Sequence, residues 1–308
     1  MSNELPLVYS IILNCGLNPD GRARNLLLAT LDSVKQLSYP RNQIIVVDNG
    51  SVDGSQGAVR AQHRDVVLIE NGRNLGYTEG SNVGLRYVLE QDVDWALLLN
   101  NDIAVDPGML SEMMTVALSD ERIGIVGPKI YYYDEPTRIW YAGGKISYFT
   151  GIISHRGIRE ADHGQYNVVE DTDYVTGCAL LIKRKVLDSV GLLDPIYSPM
   201  YSEDADYSLR AKRAGFRVVY VPQAKVWHKV SASTGGGLTP LKTQLKVEHN
   251  FIFLMRYARW YHWFTIPWCV GAVALLFVVR GFLTGNFAVI GALLRGFAKA
   301  IRRLTSLD

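Results

Sequence analysis

The residues able to do chemistry in this 308-residue chain fall into three groups. Asp, Asn and Gly crowd the points where short apolar runs end: Asn14-Cys15-Gly16, Asp48-Asn49-Gly50-Ser51, Asn74-Leu75-Gly76-Tyr77 with Gly80 and Asn82, and Asn100-Asn101-Asp102. Such amides and carboxylates can hydrogen-bond a base and a ribose, and glycine lets the backbone approach them. In any single loop they equally well make a turn, as Asn49-Gly50-Ser51 is expected to do. Four such loops in succession point to a nucleotide site. The second group is Asp102, delivered by an apolar run, with His228 after Lys225–Trp227. A hard divalent cation bridging phosphates takes only one or two protein ligands, and an imidazole suits Mn²⁺. The third group is Glu203, Asp204 and Asp206, three acids at a helix start. Ser202 as cap and dipole complementarity explain Glu203 and Asp206. Successive helix residues lie about 100° apart, so one acid can face a cleft as general base, kept ionised by the helix terminus.

The elements that must carry these groups are legible from periodicity. Leu7–Leu13, Ile44–Asp48, Val66–Glu70, Trp95–Leu99 and Ile123–Gly127 read as buried strands of a parallel sheet. Asn25–Gln36, Gly80–Gln91 and Pro107–Ser119 between them have helical spacing, with an Asp106 cap and Pro107 at the first helical position. Val175–Lys183 and Arg217–Val221 are further strands, and Ser202–Ala214 is a helix closed by Gly215. Strand–helix alternation implies an α/β sandwich with ligands at the carboxyl ends of its strands. Ser231–Gly237 is a flexible loop by composition.

Composition narrows the classes. Charged residues at 20% and hydrophobics at 48% exclude a disordered or fibrous chain. The net charge of +2 is uneven: from Lys242 to Asp308 there are nine Lys/Arg and two acids. That basic stretch is also apolar, which favours a membrane surface over nucleic acid. Phe264–Val279 and Gly281–Leu294 are uncharged runs on either side of Arg280, flanked by Trp260, Trp263 and Trp268. Each is shorter than a spanning helix, so an interfacial hairpin is the leading expectation, with a true span, a soluble helix pair and self-association as the alternatives. Three scattered cysteines and no basic, apolar leader point to a reducing compartment without a secretion signal. A dinucleotide fingerprint is absent after the first run, which disfavours a nicotinamide enzyme.

VVDNGSVDGS, ENGRNLGYTEGSNVGL, ALLLNND, YVTGCALLIKR, YSEDADYSLRAKRAGFRVVYVP and VWHK occur in the order seen in family 2 glycosyltransferases, which the chain resembles over about residues 7–230. The nearest likeness is to rhamnosyltransferase-like members of bacterial polysaccharide assembly. The resemblance implies the GT-A fold, a Rossmann-like three-layer sandwich over residues 1–240, followed by membrane-associating helices over 241–308. It implies inverting transfer from a nucleotide-diphosphate sugar (dTDP-rhamnose or a UDP-sugar) to a lipid-linked or polysaccharide hydroxyl in cell-envelope assembly, with Mn²⁺ or Mg²⁺. In this frame Asp48 recognises the base, with Asn14 and Asn82 nearby and Asn74, Gly76 and Asn101 in the same loops. Asn100 and Asp102 occupy the DxD-like motif, Asp102 and His228 hold the metal, and Asp204 is the base beside Glu203. Gly177 and Asp206 lie on the acceptor side. The implied location is the cytoplasmic face of the membrane. A binding module without turnover has no use for Glu203, Asp204 and His228, and a nucleotidyltransferase requires a Gly- and Lys/Arg-rich phosphate loop for which Arg22 and Arg24 are a thin substitute.

Overall fold

The computed structural model describes residues 4–230, 239–283 and 287–305. The chain runs β1 (Val8–Asn14), α1 (Arg22–Lys35), β2 (Asn42–Asp48), α2 (Ser55–Gln62), β3 (Val67–Glu70), α3 (Gly76–Leu89), β4 (Trp95–Asn100), β5 (Ile103–Val105), α4 (Met109–Ala117) and β6 (Ile123–Tyr132). Then come β7 (Ile139–Tyr141), β8 (Gly144–Ser147), β9 (Ile152–His155), β10 (Glu170–Asp171), β11 (Ala179–Lys183), α5 (Arg184–Val190), α6 (Glu203–Arg213) and β12 (Arg217–His228). Three long helices follow: α7 (Pro240–Tyr257), α8 (Ile266–Leu283) and α9 (Phe287–Thr305).

The main sheet has the order β10-β12-β6-β11-β4-β1-β2-β3. Side chains alternate across it: Trp95, Leu97 and Leu99 of β4 join one core with α1 and α4, while Ala96 and Leu98 join the other with α3, α5 and α6. Each fully buried aliphatic side chain contributes about 1.5–3 kcal/mol, so both helical layers are firmly seated. The sheet is mixed, not parallel throughout. β11 runs antiparallel to both β4 and β6, having returned from the long excursion that carries β7–β10. A strand buried on both faces reads as the same apolar run in either direction, and the connection alone sets its sense.

Three local expectations change. Helix α4 begins at Met109, because Asp106 Oδ1 accepts the Gly108 amide at 2.8 Å and closes an Asx turn first. The hydroxyl of Ser202 does not cap α6: with φ at 68° the residue is left-handed, and its carbonyl, not its side chain, engages the helix through Asp206 N. Gly215 does close α6, at φ 92°.

Helix α7 packs Ile252 and Phe253 against Ala205 of α6 and Tyr197. Helix α9 lies on α7 with Gly296 at the crossing, where an added Cβ would stand 2.7 Å from the Gln244 carbonyl. Helix α8 runs unbroken past Arg280 and is long and apolar enough to cross a membrane, with little of it buried. Trp268 is 80% exposed, and Trp260 and Phe264 beside it are 76% and 69% exposed. Ser231–Gly237 lies outside the described residues, as does the side chain of Arg280.

Candidate active site

Parallel register brings the polar strand ends together. Asn14 pairs with Asp48, Asp48 with Glu70, and Leu13 with Asn100. The Asn14 amide donates to Asp48 Oδ2 at 3.3 Å and to Ser51 Oγ at 3.0 Å, and Asn101 Nδ2 donates to Asn14 Oδ1 at 2.7 Å. Asp48 Oδ1 accepts from Ser51 N at 3.0 Å and Gln56 Nε2 at 2.9 Å. Asp48 thus ties the first two loops together while keeping acceptor capacity to spare.

Asn49, expected only to turn the chain, is the hub of the next loop. Its amide nitrogen donates to Asn74 Oδ1 (3.1 Å) and the Gly76 carbonyl (3.0 Å), and its oxygen accepts from Asn71 Nδ2 and Leu75 N (both 3.0 Å). Gly76 adopts φ 80° against Pro199, which an added Cβ would approach to 2.6 Å. Asp53, in the same Asx-rich loop as Asn49, was given no role of its own by the sequence. It accepts from Arg24 N at 2.7 Å and Ser55 N at 3.1 Å, fastening the first loop to the second. The density of Asx residues was the signal for both, but which one becomes a hub depends on contacts between loops. Asn82 departs from expectation: its amide is spent on both backbone groups of Leu193 (2.9 and 3.0 Å), on the face of α3 turned toward that loop. It positions that loop and is not beside Asp48.

Pairing of β5 with β12 sets Ile103 opposite His228, and Lys229 N donates to the Asp102 carbonyl at 2.8 Å. His228 Nε2 stands 3.1 Å from Asp102 Oδ1, with both side chains buried. Burial alone would lower the His228 pKa, but the Cys178 sulfur and the Asp102 carboxylate outweigh it and raise it to about 10. The Trp140 ring meets the imidazole edge-on at 4.6 Å between centroids, fixing its orientation. Among the described residues no group of three or more His, Cys, Asp or Glu is gathered as a metal cluster. One carboxylate and one imidazole nevertheless fit a cation that draws its other ligands from phosphate and water. His228 Nδ1 has no hydrogen-bond partner among the described residues, and with its pKa raised the ring would have to give up a proton before binding the cation.

The acids of α6 diverge. Asp206 is fully buried and faces α7, accepting from Arg210 Nε at 2.7 Å and Tyr257 Oη at 2.5 Å. It ties helices together and lies two residues, or about 200°, around the helix from Asp204, so the two acids do not share a face. Asp204 Oδ2 accepts from Gly177 N at 3.1 Å and Oδ1 from Ala205 N at 2.8 Å. Glu203 is buried, and its Oε2 has no partner among the described residues. Burial raises both pKa values above the ordinary carboxylate value, and the Asp204 charge raises that of Glu203 well above it. The helix terminus does not by itself keep both ionised, since desolvation exceeds the dipole. Two amide donors favour the charged form of Asp204, so the pair holds its proton on Glu203 and its charge on Asp204. Tyr201 and Ser202, just before them, have φ of 82° and 68°, a strain of about 1–3 kcal/mol each held by the surrounding structure.

Two consecutive residues join the acid pair to the Asp102–His228 pair. Gly177 donates its amide to Asp204, while its carbonyl accepts from Tyr77 Oη at 2.6 Å. Cys178 accepts the Asn100 amide at 3.1 Å, and its sulfur contacts His228. An added Cβ at 177 would lie 2.4 Å from Tyr77 Oη, so this approach requires glycine.

The family model for glycosyl transferase family 2 matches residues 21–191, more than half of the chain. The chain belongs to that family. This glycosyltransferase is 27% identical over 255 residues to the N-acetylglucosaminyl-diphospho-decaprenol L-rhamnosyltransferase of Mycobacterium tuberculosis, covering 75% of this chain and 81% of that one. It is 32% identical over 248 residues to protein y4gI of Sinorhizobium fredii, covering 77% of this chain but spanning about a quarter (26%) of y4gI. Its fold is that of the mannosyltransferase PcManGT of Pyrobaculum calidifontis, solved with GDP-Man and Mn²⁺, at TM-score 0.62, 16% identity and coverage of 99% and 89%. The GT-A sandwich expected from the sequence is thus the observed architecture of this glycosyltransferase, and Asp204 and His228 lie beyond the segment the family model matches.

Proposed function

We propose that this glycosyltransferase is an inverting enzyme that moves a sugar, rhamnose or another hexose, from a nucleoside diphosphate to a hydroxyl of a lipid-linked or glycan acceptor in cell-envelope assembly. The observation that carries the reading is the Gly177–Cys178 step. Its first residue donates its amide to Asp204 and its second lies against His228, so one short stretch of β11's approach touches both groups.

Asp204 accepts the proton of the acceptor hydroxyl as that oxygen bonds to the anomeric carbon. The bond to the diphosphate breaks on the opposite face, and the leaving group takes the electron pair. Protonated Glu203 adds no second negative charge beside the attacking oxygen. Asn14, Asp48 and Ser51 hold the nucleoside end, and the Asn49–Asn74–Gly76 loop presents backbone toward the phosphates. Asp102 and His228 would hold a divalent cation, with Asn100 beside them, and that cation supplies neutralisation of the leaving diphosphate. The Mn²⁺ in the mannosyltransferase neighbour and the name of the mycobacterial relative support this assignment of cofactor and donor class. The apolar α8, the exposed aromatics before it and the nine basic residues of the C-terminal stretch support a seat on the cytoplasmic face of a membrane, where a lipid-linked acceptor resides.

The test is the thermal shift of the full chain with UDP, dTDP, GDP and NAD, each with and without Mn²⁺. Ligand at 100 times its dissociation constant adds about 2.7 kcal/mol of stability. A Mn²⁺-dependent shift with one nucleoside diphosphate, lost in His228→Ala, is the expected result. A shift with NAD alone, or with no diphosphate, refutes the nucleotide-sugar reading.

A further inference from the structure

Between α5 and α6, residues 195–202 form a strap that opens with a 3-10 turn at Pro195–Tyr197, and the carbonyls of 196–200 engage two different parts of the protein. On one side, the Tyr197 carbonyl accepts from Thr78 Oγ1 at 3.3 Å, and the Pro199 carbonyl accepts from Tyr77 N at 2.6 Å and Thr78 N at 3.2 Å. These contacts belong to the start of α3, directly after the Asn74–Gly76 loop, and Pro199 is the residue that Gly76 is packed against. On the other side, Arg303 of α9 donates through Nη1 to the Ile196 carbonyl at 2.6 Å and through Nη1 and Nη2 to the Ser198 carbonyl, both at 3.1 Å. The Met200 carbonyl is 2.6 Å from His249 Nδ1 on α7. The strap ends in the left-handed Tyr201 and Ser202, then Glu203 and Asp204.

The Tyr197 and Pro199 carbonyls thus seat the start of α3, while those of Ile196, Ser198 and Met200 are held by the C-terminal helices. The guanidinium suits this role because its planar fork can serve two carbonyls while Nε faces a carboxylate. Arg303 Nε is 2.9 Å from Glu248 Oε1 on α7, a side chain only 1% exposed. The fork is therefore held at both ends, between α7 and the strap. A lysine could keep the ion pair with Glu248 but could not span both carbonyls in the same plane.

We propose that Arg303 is a positioning residue for the transfer reaction: through it, the seating of helix α9 on α7 sets the strap that orients both the donor loop and Asp204. The consequence is that the C-terminal helices are more than an anchor. A displacement of α9 is transmitted to Ile196 and Ser198, and from there to Tyr77–Thr78 on one side and to the start of α6 on the other. The inference rests on the reading of Asp204 as base only for its catalytic meaning, since the mechanical linkage stands on the hydrogen bonds themselves.

The experiment is hydrogen exchange followed by mass spectrometry on the full chain, comparing wild type with Arg303→Lys and with Arg302→Lys, an exposed neighbour on the same helix. Loss of charge-assisted bonds to two carbonyls predicts about tenfold faster exchange in peptides covering 76–78 and 196–204 for Arg303→Lys, with the rest of the sheet unchanged. Arg302→Lys is expected to match wild type. The pair Arg303→Met with Glu248→Gln, which removes the fork without stranding a buried charge, is expected to loosen the same two segments. Equal exchange in Arg303→Lys and Arg302→Lys overturns the proposal. So does faster exchange spread across the whole domain, which marks a role in stability alone. If Asp204→Asn retains full turnover while the strap still loosens in Arg303→Lys, the base assignment fails and the linkage stands.

Discussion

Replacing Asp204 with Asn tests the site most directly, because shape is kept and only the basicity is removed. In the wild type its two oxygens accept from Gly177 N at 3.1 Å and Ala205 N at 2.8 Å. An asparagine can satisfy one of these donors with its carbonyl oxygen, while its NH₂ group faces the other. A stranded buried donor costs about 1–3 kcal/mol. Relief of the repulsion that raises the Glu203 pKa offsets part of that cost, so the fold survives. The catalytic loss is larger. A positioned general base is worth about 10²–10⁴-fold, or roughly 2.7–5.4 kcal/mol at 1.36 kcal/mol per tenfold. The Asn14–Asp48–Ser51 network does not touch position 204, so nucleotide binding stays. The assay is release of nucleoside diphosphate with donor and acceptor extract, run beside the nucleotide-induced thermal shift. An Asp204→Asn protein with an unchanged thermal shift and turnover lower by at least a hundredfold is expected. Turnover within about threefold of wild type refutes the base assignment.

Two other expectations concern buried charge. Glu203 has a raised pKa through burial and the Asp204 charge, so between the unfolded value of about 4.3 and its folded value the native state keeps a proton that the unfolded chain releases. Its contribution to stability therefore declines as pH rises through that window. Glu203→Gln removes the decline, which denaturant unfolding at pH 5, 6.5 and 8 measures, and curves parallel to wild type contradict it. Lys129 is 1% exposed and pairs with Asp162 at 2.8 Å, where Tyr131 Oη also donates at 2.6 Å. Burial alone would raise the Asp162 pKa, but these bonds bring it to about 2, so its contribution is present above about pH 4 and lost as pH falls from there toward 2. Asp162→Asn leaves the lysine charge buried and uncompensated, a loss of about 3–5 kcal/mol in denaturant unfolding, and a loss under 1 kcal/mol refutes the pairing.

Apolar runs with polar ends made β1–β4 legible from the sequence, because a strand buried on both faces and ending at a cleft must be written that way. The crowding of Asx residues at those ends and the acids of α6 were legible because a packed core has no use for polar side chains at such density. The ordered motifs carried the family. Tertiary structure alone decided the rest. The sense of β11 depends on the excursion that precedes it, and only that antiparallel return brings Gly177 to Asp204 and Cys178 to His228. Asn49 in the loop after β2 and Asn82 inside α3 are the same residue type, yet one organises the Asn74–Gly76 loop and the other is consumed by Leu193. That difference lies in which backbone groups arrive from elsewhere in the chain. Which of Glu203 and Asp204 keeps the charge was likewise undecidable from spacing, since amide donors and burial, not position in the helix, set it. Finally, an apolar, basic C-terminus reads as a membrane anchor, while its grip on the strap through Arg303 exists only once α9 is packed on α7, some hundred residues away from the carbonyls it holds.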